Sequence, residues 1–275
     1  MEILSSGMAL ILILLSTGAS IVFVIKQGKQ IYKYSYRILV VGFIFLTVSI
    51  IFRYIHLGTF PAITLKTSLS FFSWVIIGVY LVFQLRFNVM ILGSFITPLV
   101  SIMLLISISI PGTDIIVKPM LQSIWLTLHV TTIFIGDGMF VITFMSGIMY
   151  LIQEKHIKSK KRGSFYSRLP SLETLDSANH YSLIYGFPFL TLGLLTGIVY
   201  AQQTFGNLWR WDPKEVWSII TWLAYGVLLH ERLAVGWRGS RAALMSIVCF
   251  VIMLFTFLGG SLWLSDYHSF RNLEG

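Results

Sequence analysis

Apolar residues run along this chain in long blocks separated by short polar breaks, without the strict alternation that marks half-buried strands. Blocks long enough to cross about 30 Å of hydrocarbon recur from one end to the other. They predict helices over approximately 5–25, 36–55, 67–85, 90–110, 121–152, 181–204, 214–232 and 242–264. The expected fold class is therefore an all-α integral membrane protein with about eight transmembrane helices. An even number of crossings puts both termini on the same side.

Composition agrees with that pattern. With 56% hydrophobic and 11% charged residues, the chain has too little polar surface to clothe a water-soluble globule of 275 residues. Its net charge of +9 is carried between the apolar blocks, so it points to membrane lipid and sidedness and not to nucleic acid. Fourteen of the 20 Lys and Arg fall on one side of the predicted topology, including Lys26, Arg86, Lys161, Arg162 and Arg238; six, among them Arg53, Arg210 and Lys214, fall on the other. Basic loops are retained in the cytoplasm, so both termini and the connection near residue 210 are expected on the outer, periplasmic side. Ser5 to Ile25 lacks a basic leader and a small-residue cleavage site, and reads as a retained first helix. The polar stretch from Glu154 to Asp176 reads as a headgroup contact. A lone Cys249 within an apolar block excludes an internal disulfide or a dithiol redox pair.

Candidate chemistry concentrates in Phe205-Gly206-Asn207-Leu208-Trp209-Arg210-Trp211-Asp212-Pro213-Lys214-Glu215-Val216-Trp217. Asp212 is a good N-cap, Pro213 suits the first helical position, and Glu215 is spaced to complete a capping box, so a helix should start at Pro213. Trp217 shares a face with Thr221 one turn on. A flat apolar macrocycle bearing two carboxylates needs aromatic faces for stacking and cations for its acid groups. Trp209, Trp211 and Trp217 supply the first; Arg210 and Lys214 are candidate partners for the second.

The run Trp209-Arg210-Trp211-Asp212-Pro213-Lys214-Glu215 resembles the WWD signature of haem-handling proteins, and Trp217, Thr221, Trp222 and His230 continue the resemblance into the CcsA/ResC branch of system II cytochrome c biogenesis. Arg53 to Trp74, Trp125 to Val130 and Gly186 to Thr196 carry weaker likenesses. Phe205-Gly206 stands where the family has Trp-Gly, and the early Gly-His-Phe-Pro is replaced by His56-Leu57-Gly58-Thr59-Phe60-Pro61, so no role is carried onto His56. The resemblance implies transport of haem b as a bound substrate and its presentation to an apocytochrome c with Cys-x-x-Cys-His. It also implies a ResB/CcsB-type membrane partner in a cytochrome c synthase complex, in a bacterial cytoplasmic membrane. Whether this chain itself acts as the haem lyase is left open.

Of six histidines, the predicted topology puts His56, His129 and His268 near the outer face and His156, His180 and His230 near the inner. The resemblance makes His129 and His268 the axial ligands of haem iron at an outer site, over Trp209, Trp211 and Asp212, and makes His230 the ligand of an inner site. His156 and His180 read as interfacial residues, although His180 is placed where it could pair with His230. Asp137 falls well inside a predicted span, where carboxylates are rare without a cavity or a partner. Two other readings stay open: a HemX-like protein influencing haem synthesis, and an ion or solute transporter using Asp137. The expected division is a four-helix membrane region over 1–110 and a cytochrome c assembly core over 111–275.

Overall fold

A computed structural model describes residues 2–58, 60, 62–111, 119–159 and 169–259. Among them the chain forms eight long helices and no strand: α1 (Glu2–Lys26), α2 (Lys29–Leu57), α3 (Leu65–Phe87), α4 (Gly93–Ser109), α5 (Ile124–Ser159), α6 (Leu172–Phe205), α7 (Pro213–His230) and α8 (Ser240–Leu254). Seven helical segments are long and apolar enough to cross a membrane, so the chain is a multi-pass membrane protein. The eighth expected crossing, α7, is a helix but is not among these seven. Its first turn holds Pro213, Lys214 and Glu215 and its last residue is His230, so its apolar stretch is short.

Helix ends follow capping chemistry more closely than hydropathy. α3 begins before the expected position because Thr64 caps it: its Oγ1 accepts from Thr67 N–H at 3.2 Å while Thr67 Oγ1 accepts from Thr64 N–H at 2.9 Å. α6 begins nine residues before the expected 181 because Ser171 caps Thr174 N–H at 3.2 Å. The 36 residues of α5 and 34 of α6 span about 54 and 51 Å, well beyond a hydrocarbon core of about 30 Å. Much of the stretch assigned to headgroup contact is thus helical, since polar residues mark where lipid ends and not where a helix does.

α1 and α2 form an antiparallel pair, α4 packs on α1 and α3, and α5 packs on α3, α6 and α8. Between apolar helices in lipid, close approach replaces hydrophobic burial as the source of association. The α5–α6 pair is built that way. A Cβ on Gly136 would lie 3.0 Å from Leu190 N, and one on Gly186 would lie 2.8 Å from the Phe140 ring. Aromatic rings tie α3 to the C-terminal helices: Phe72 meets Phe134 of α5 at 5.2 Å and Phe257, just beyond α8, at 5.5 Å. Buried Arg53 on α2 pairs with Glu2 of α1 at 2.6 Å.

Candidate functional site

α6 ends at Phe205, where Gly206 takes a left-handed conformation (φ 74°) and turns the chain into the Trp-rich connection. Gly206 N–H donates to Gln202 O at 3.0 Å, closing the helix, and Phe205 then lies under Arg210, whose guanidinium carbon is 4.4 Å from the ring centroid. α7 starts at Pro213 as expected. Asp212 Oδ1 accepts from Lys214 N–H at 2.9 Å. Glu215 does not close a capping box on Asp212. Its Oε2 accepts instead from Arg210 N–H at 2.9 Å, reaching across the turn and fixing the loop against the helix start. The loop folds back over the helix end, which brings the Arg210 amide within reach.

Trp209 and Trp211 meet edge to face, with centroids 6.0 Å apart and planes at 87°. Trp209 is half-buried, whereas Trp211 is 78% exposed and has φ +59°. A bulky non-glycine residue in the left-handed region costs about 1–2 kcal/mol, so a ring is held outward at an energetic cost. Trp217, one turn into α7, packs on Phe255 beyond α8 at 4.4 Å. Thr221 bonds to Thr256 at 2.7 Å just below it. Trp217 therefore belongs to the α7–α8 contact, one layer beneath the Trp209/Trp211 pair. Arg210 and Lys214 are both partly buried at the base of the loop.

His129 lies in the second turn of α5, and its Nδ1 is 2.7 Å from Gly193 O of α6. A carbonyl only accepts, so Nδ1 carries the proton and Nε2 carries the lone pair, the tautomer needed for ligation through Nε2. The ring sits where α6 has no side chain: a Cβ on Gly197 would fall 2.6 Å from Nδ1 and 2.7 Å from Cε1. Along α6, Gly197 is about 12 Å below Phe205, which puts His129 at a depth of two turns beneath the loop. Tyr200, between those levels, donates from its hydroxyl to Met120 O at 3.3 Å and ties α6 to the turn that leads into α5. His268 lies outside the described residues.

At the opposite end, His230 is the last residue of α7 and is exposed. His180 takes a different partner from the one considered for it: Arg232 Nε donates to its Nδ1 at 3.2 Å. Arg232 also donates from Nη1 to Asn179 Oδ1 at 2.7 Å and from Nη2 to Asp176 Oδ2 at 3.1 Å. Asp176 Oδ1 accepts from Gly239 N–H at 3.0 Å, and Asn179 Nδ2 donates to Thr143 O at 2.7 Å and Ser246 Oγ at 2.8 Å. This buried network joins α5, α6, α8 and the turn after α7, and it fixes the C-terminal end of α7 beside His230. Sequence reading missed it because Asp176 and Arg232 stand 56 positions apart. The available signal was an Arg two residues past a membrane-helix histidine, with a polar Asp-Ser-Ala-Asn-His run at the start of α6.

Residues 62–268 match the family described as Cytochrome C assembly protein. The Cytochrome c biogenesis protein CcsA of Chlamydomonas reinhardtii is 35% identical over 234 residues, covering 82% of this chain and 65% of that protein, just under two thirds of its length. That of Chlorella vulgaris is 30% identical over 263 residues, covering 83% of each. The protein of the same name from Guillardia theta is 28% identical over 282 residues, covering 96% of this chain and 93% of its own. Among solved structures, one described as Cytochrome c Heme Lyase CcmF has the same fold, with a TM-score of 0.67 at 13% identity over 94% of this chain and 46% of that one.

Proposed function

The chain belongs to the cytochrome c assembly protein family, of the CcsA type, and from that premise we propose that it takes part in cytochrome c maturation by holding haem b as a substrate at the outer face of the membrane and presenting it to an apocytochrome. The observation that carries this reading is the His129–Gly193 hydrogen bond, which leaves the Nε2 lone pair as the imidazole's ligating group. His268 is the proposed second axial ligand. Trp209 and Trp211 offer aromatic faces to the macrocycle, and Arg210 and Lys214 offer charge to its propionates.

What the chain contributes in this account is position. Two imidazoles would hold the iron six-coordinate and tune its reduction potential, while the vinyl edge is left facing the aqueous side. The thiols of Cys-x-x-Cys-His then meet it there in a fixed orientation. Since Cys249 is the only cysteine and is buried, reducing equivalents for those thiols come from other proteins. A ResB/CcsB-type membrane protein is the proposed partner, and residues 111–275 the proposed haem-handling core, with 1–110 as its membrane scaffold. His230 is proposed as the inner, entry-side ligand, about 27 Å along α7 from Asp212. The charge bias supports an outer placement of the Trp loop and of both termini. A bacterial cytoplasmic membrane is the proposed location, although relatives occur in algae as well as in Prochlorococcus marinus.

The test is haem content after purification in detergent, measured by pyridine haemochrome, for the wild type and for His129→Ala/His268→Ala. The reading requires haem b in the wild type and its substantial loss in the double variant. Wild-type protein free of haem after expression with ample haem would sink it.

A further inference from the structure

His180 and His129 are held in opposite tautomers. Arg232 Nε donates to His180 Nδ1 at 3.2 Å, and a guanidinium has only donors, so here Nδ1 carries the lone pair and Nε2 the proton. Arg232 is itself fixed by Asn179 and Asp176, which leaves the imidazole no other tautomer while that bond stands. Nε2 has no hydrogen-bond partner among the described residues, and the ring is only partly buried. His180 is thus a hydrogen-bond donor, not a metal ligand through Nε2.

That donor stands beside a row of rings. Phe83 stacks on Phe87 at 4.3 Å, Phe87 meets Tyr181 at 5.1 Å, and Tyr181 meets Tyr185 at 6.5 Å, with successive planes turned by 27°, 32° and 22°. The His180 ring touches Tyr181 edge to face at 5.6 Å. Phe83 is buried and backs the row, whereas Tyr181 and Tyr185 are 41% and 49% exposed. Arg86, next to Phe87 in the last turn of α3, is exposed and makes no ion pair or hydrogen bond among the described residues. Because Arg232 is two residues past His230, the row lies at the His230 end of the bundle. Lipid alone accounts for exposed tyrosines where an apolar stretch begins. It does not account for an imidazole locked beside them with its N–H free, or for an unpaired guanidinium on the adjoining helix.

A flat apolar face, a neutral N–H donor and a free guanidinium in one place suit a flat apolar acid. We propose that Phe87, Tyr181 and Tyr185 form an entry platform on which a porphyrin dicarboxylate stacks from the lipid interface, with His180 Nε2 and Arg86 binding its acid groups and no bond to its metal. That the ligand is a porphyrin rests on the haem reading, while the platform rests on the rings and donors. It differs in kind from the His129 seat, which offers a lone pair where His180 offers a proton.

Titration of the purified full chain in lipid nanodiscs with metal-free protoporphyrin IX tests it, since ligation of iron then contributes nothing. Induced circular dichroism in the Soret band reports porphyrin held by protein and not porphyrin dissolved in lipid, and the dimethyl ester serves as the probe without acid groups. All variants are made in a Trp209→Ala/Trp211→Ala background, which removes the proposed outer stacking rings. Tyr181→Leu/Tyr185→Leu is expected to weaken binding of both probes about tenfold. His180→Leu should weaken the free acid about tenfold and Arg86→Gln about threefold, each leaving the ester unchanged. His180→Gln should retain affinity, because its amide accepts from Arg232 Nε and still donates. Binding indifferent to the tyrosine pair overturns the proposal, as does an Arg86→Gln effect equal on acid and ester. If His180→Leu does not fold, Arg86→Gln, on an exposed side chain, and His180→Gln decide the matter, and loss of affinity in the latter overturns the role of Nε2. Haem content of the wild type separates the two readings: haem present with no porphyrin signal overturns this site alone, and porphyrin bound by a chain that purifies without haem upholds the site while overturning the haem assignment.

Discussion

The Nδ1 of His129 and the carbonyl oxygen of Gly193 are 2.7 Å apart, across 64 positions of sequence and the tight interface of α5 with α6. That single bond decides which imidazole nitrogen carries the proton, and the absence of a side chain at Gly197 decides where the ring can sit. The two glycines act on one histidine from one helix, a turn apart.

Gly197→Ala follows directly. Its new methyl would overlap the ring, so the ring or the helix must shift, at about 1–3 kcal/mol for overpacking. Gly18→Ala, with nothing within 4 Å, should instead gain up to about 1 kcal/mol from helix propensity. Thermal unfolding in detergent is expected to separate the two, and haem occupancy should fall for Gly197→Ala alone. Equal behaviour of both variants would remove the case for a built seat.

Trp211→Gly separates strain from use. Because the residue is held at φ +59° and is 78% exposed, glycine should leave stability unchanged or raise it by about 1 kcal/mol, while weakening haem retention. A destabilised but fully haem-loaded variant would reverse that assignment.

At the start of α7, Asp212→Ala is expected to cost about 1 kcal/mol through loss of the cap on Lys214 N–H. Glu215→Ala should loosen the loop rather than the helix, since the bond it removes goes to Arg210 N–H. Hydrogen exchange read peptide by peptide distinguishes them: faster exchange over 213–217 for the first, over 206–211 for the second.

Arg232→Lys probes the network around the C-terminal end of α7. A guanidinium spreads its donors over His180, Asn179 and Asp176, and an ammonium cannot match that planar fork. With the Arg232 side chain 2% exposed, the variant should lose about 1–3 kcal/mol, the cost of leaving a buried acceptor unmet while the charge is kept. Unchanged unfolding in denaturant would mean the network contributes nothing to holding α7 in place.

The spans were legible because lipid imposes a long apolar period on each helix, and the start of α7 was legible because capping is local: Asp212 and Pro213 are adjacent. Glu215 was half legible. Its spacing signalled a capping role, but the amide it meets, that of Arg210, depends on how the loop folds back. The lengths of α5 and α6 were underestimated, since hydropathy stops reporting where lipid stops and Ser171 caps a helix that begins outside it. Contacts between distant positions left no local trace. Gly193 and Gly197 look like ordinary packing glycines until His129 is seen against them.

The central claim is that His129 ligates haem iron through Nε2, and the visible spectrum of His129→Gly with and without added imidazole tests it most directly. The account predicts a low-spin six-coordinate spectrum in the wild type, its loss in the variant, and its return when imidazole fills the space left by the side chain. A variant that keeps the wild-type low-spin spectrum without imidazole would contradict it.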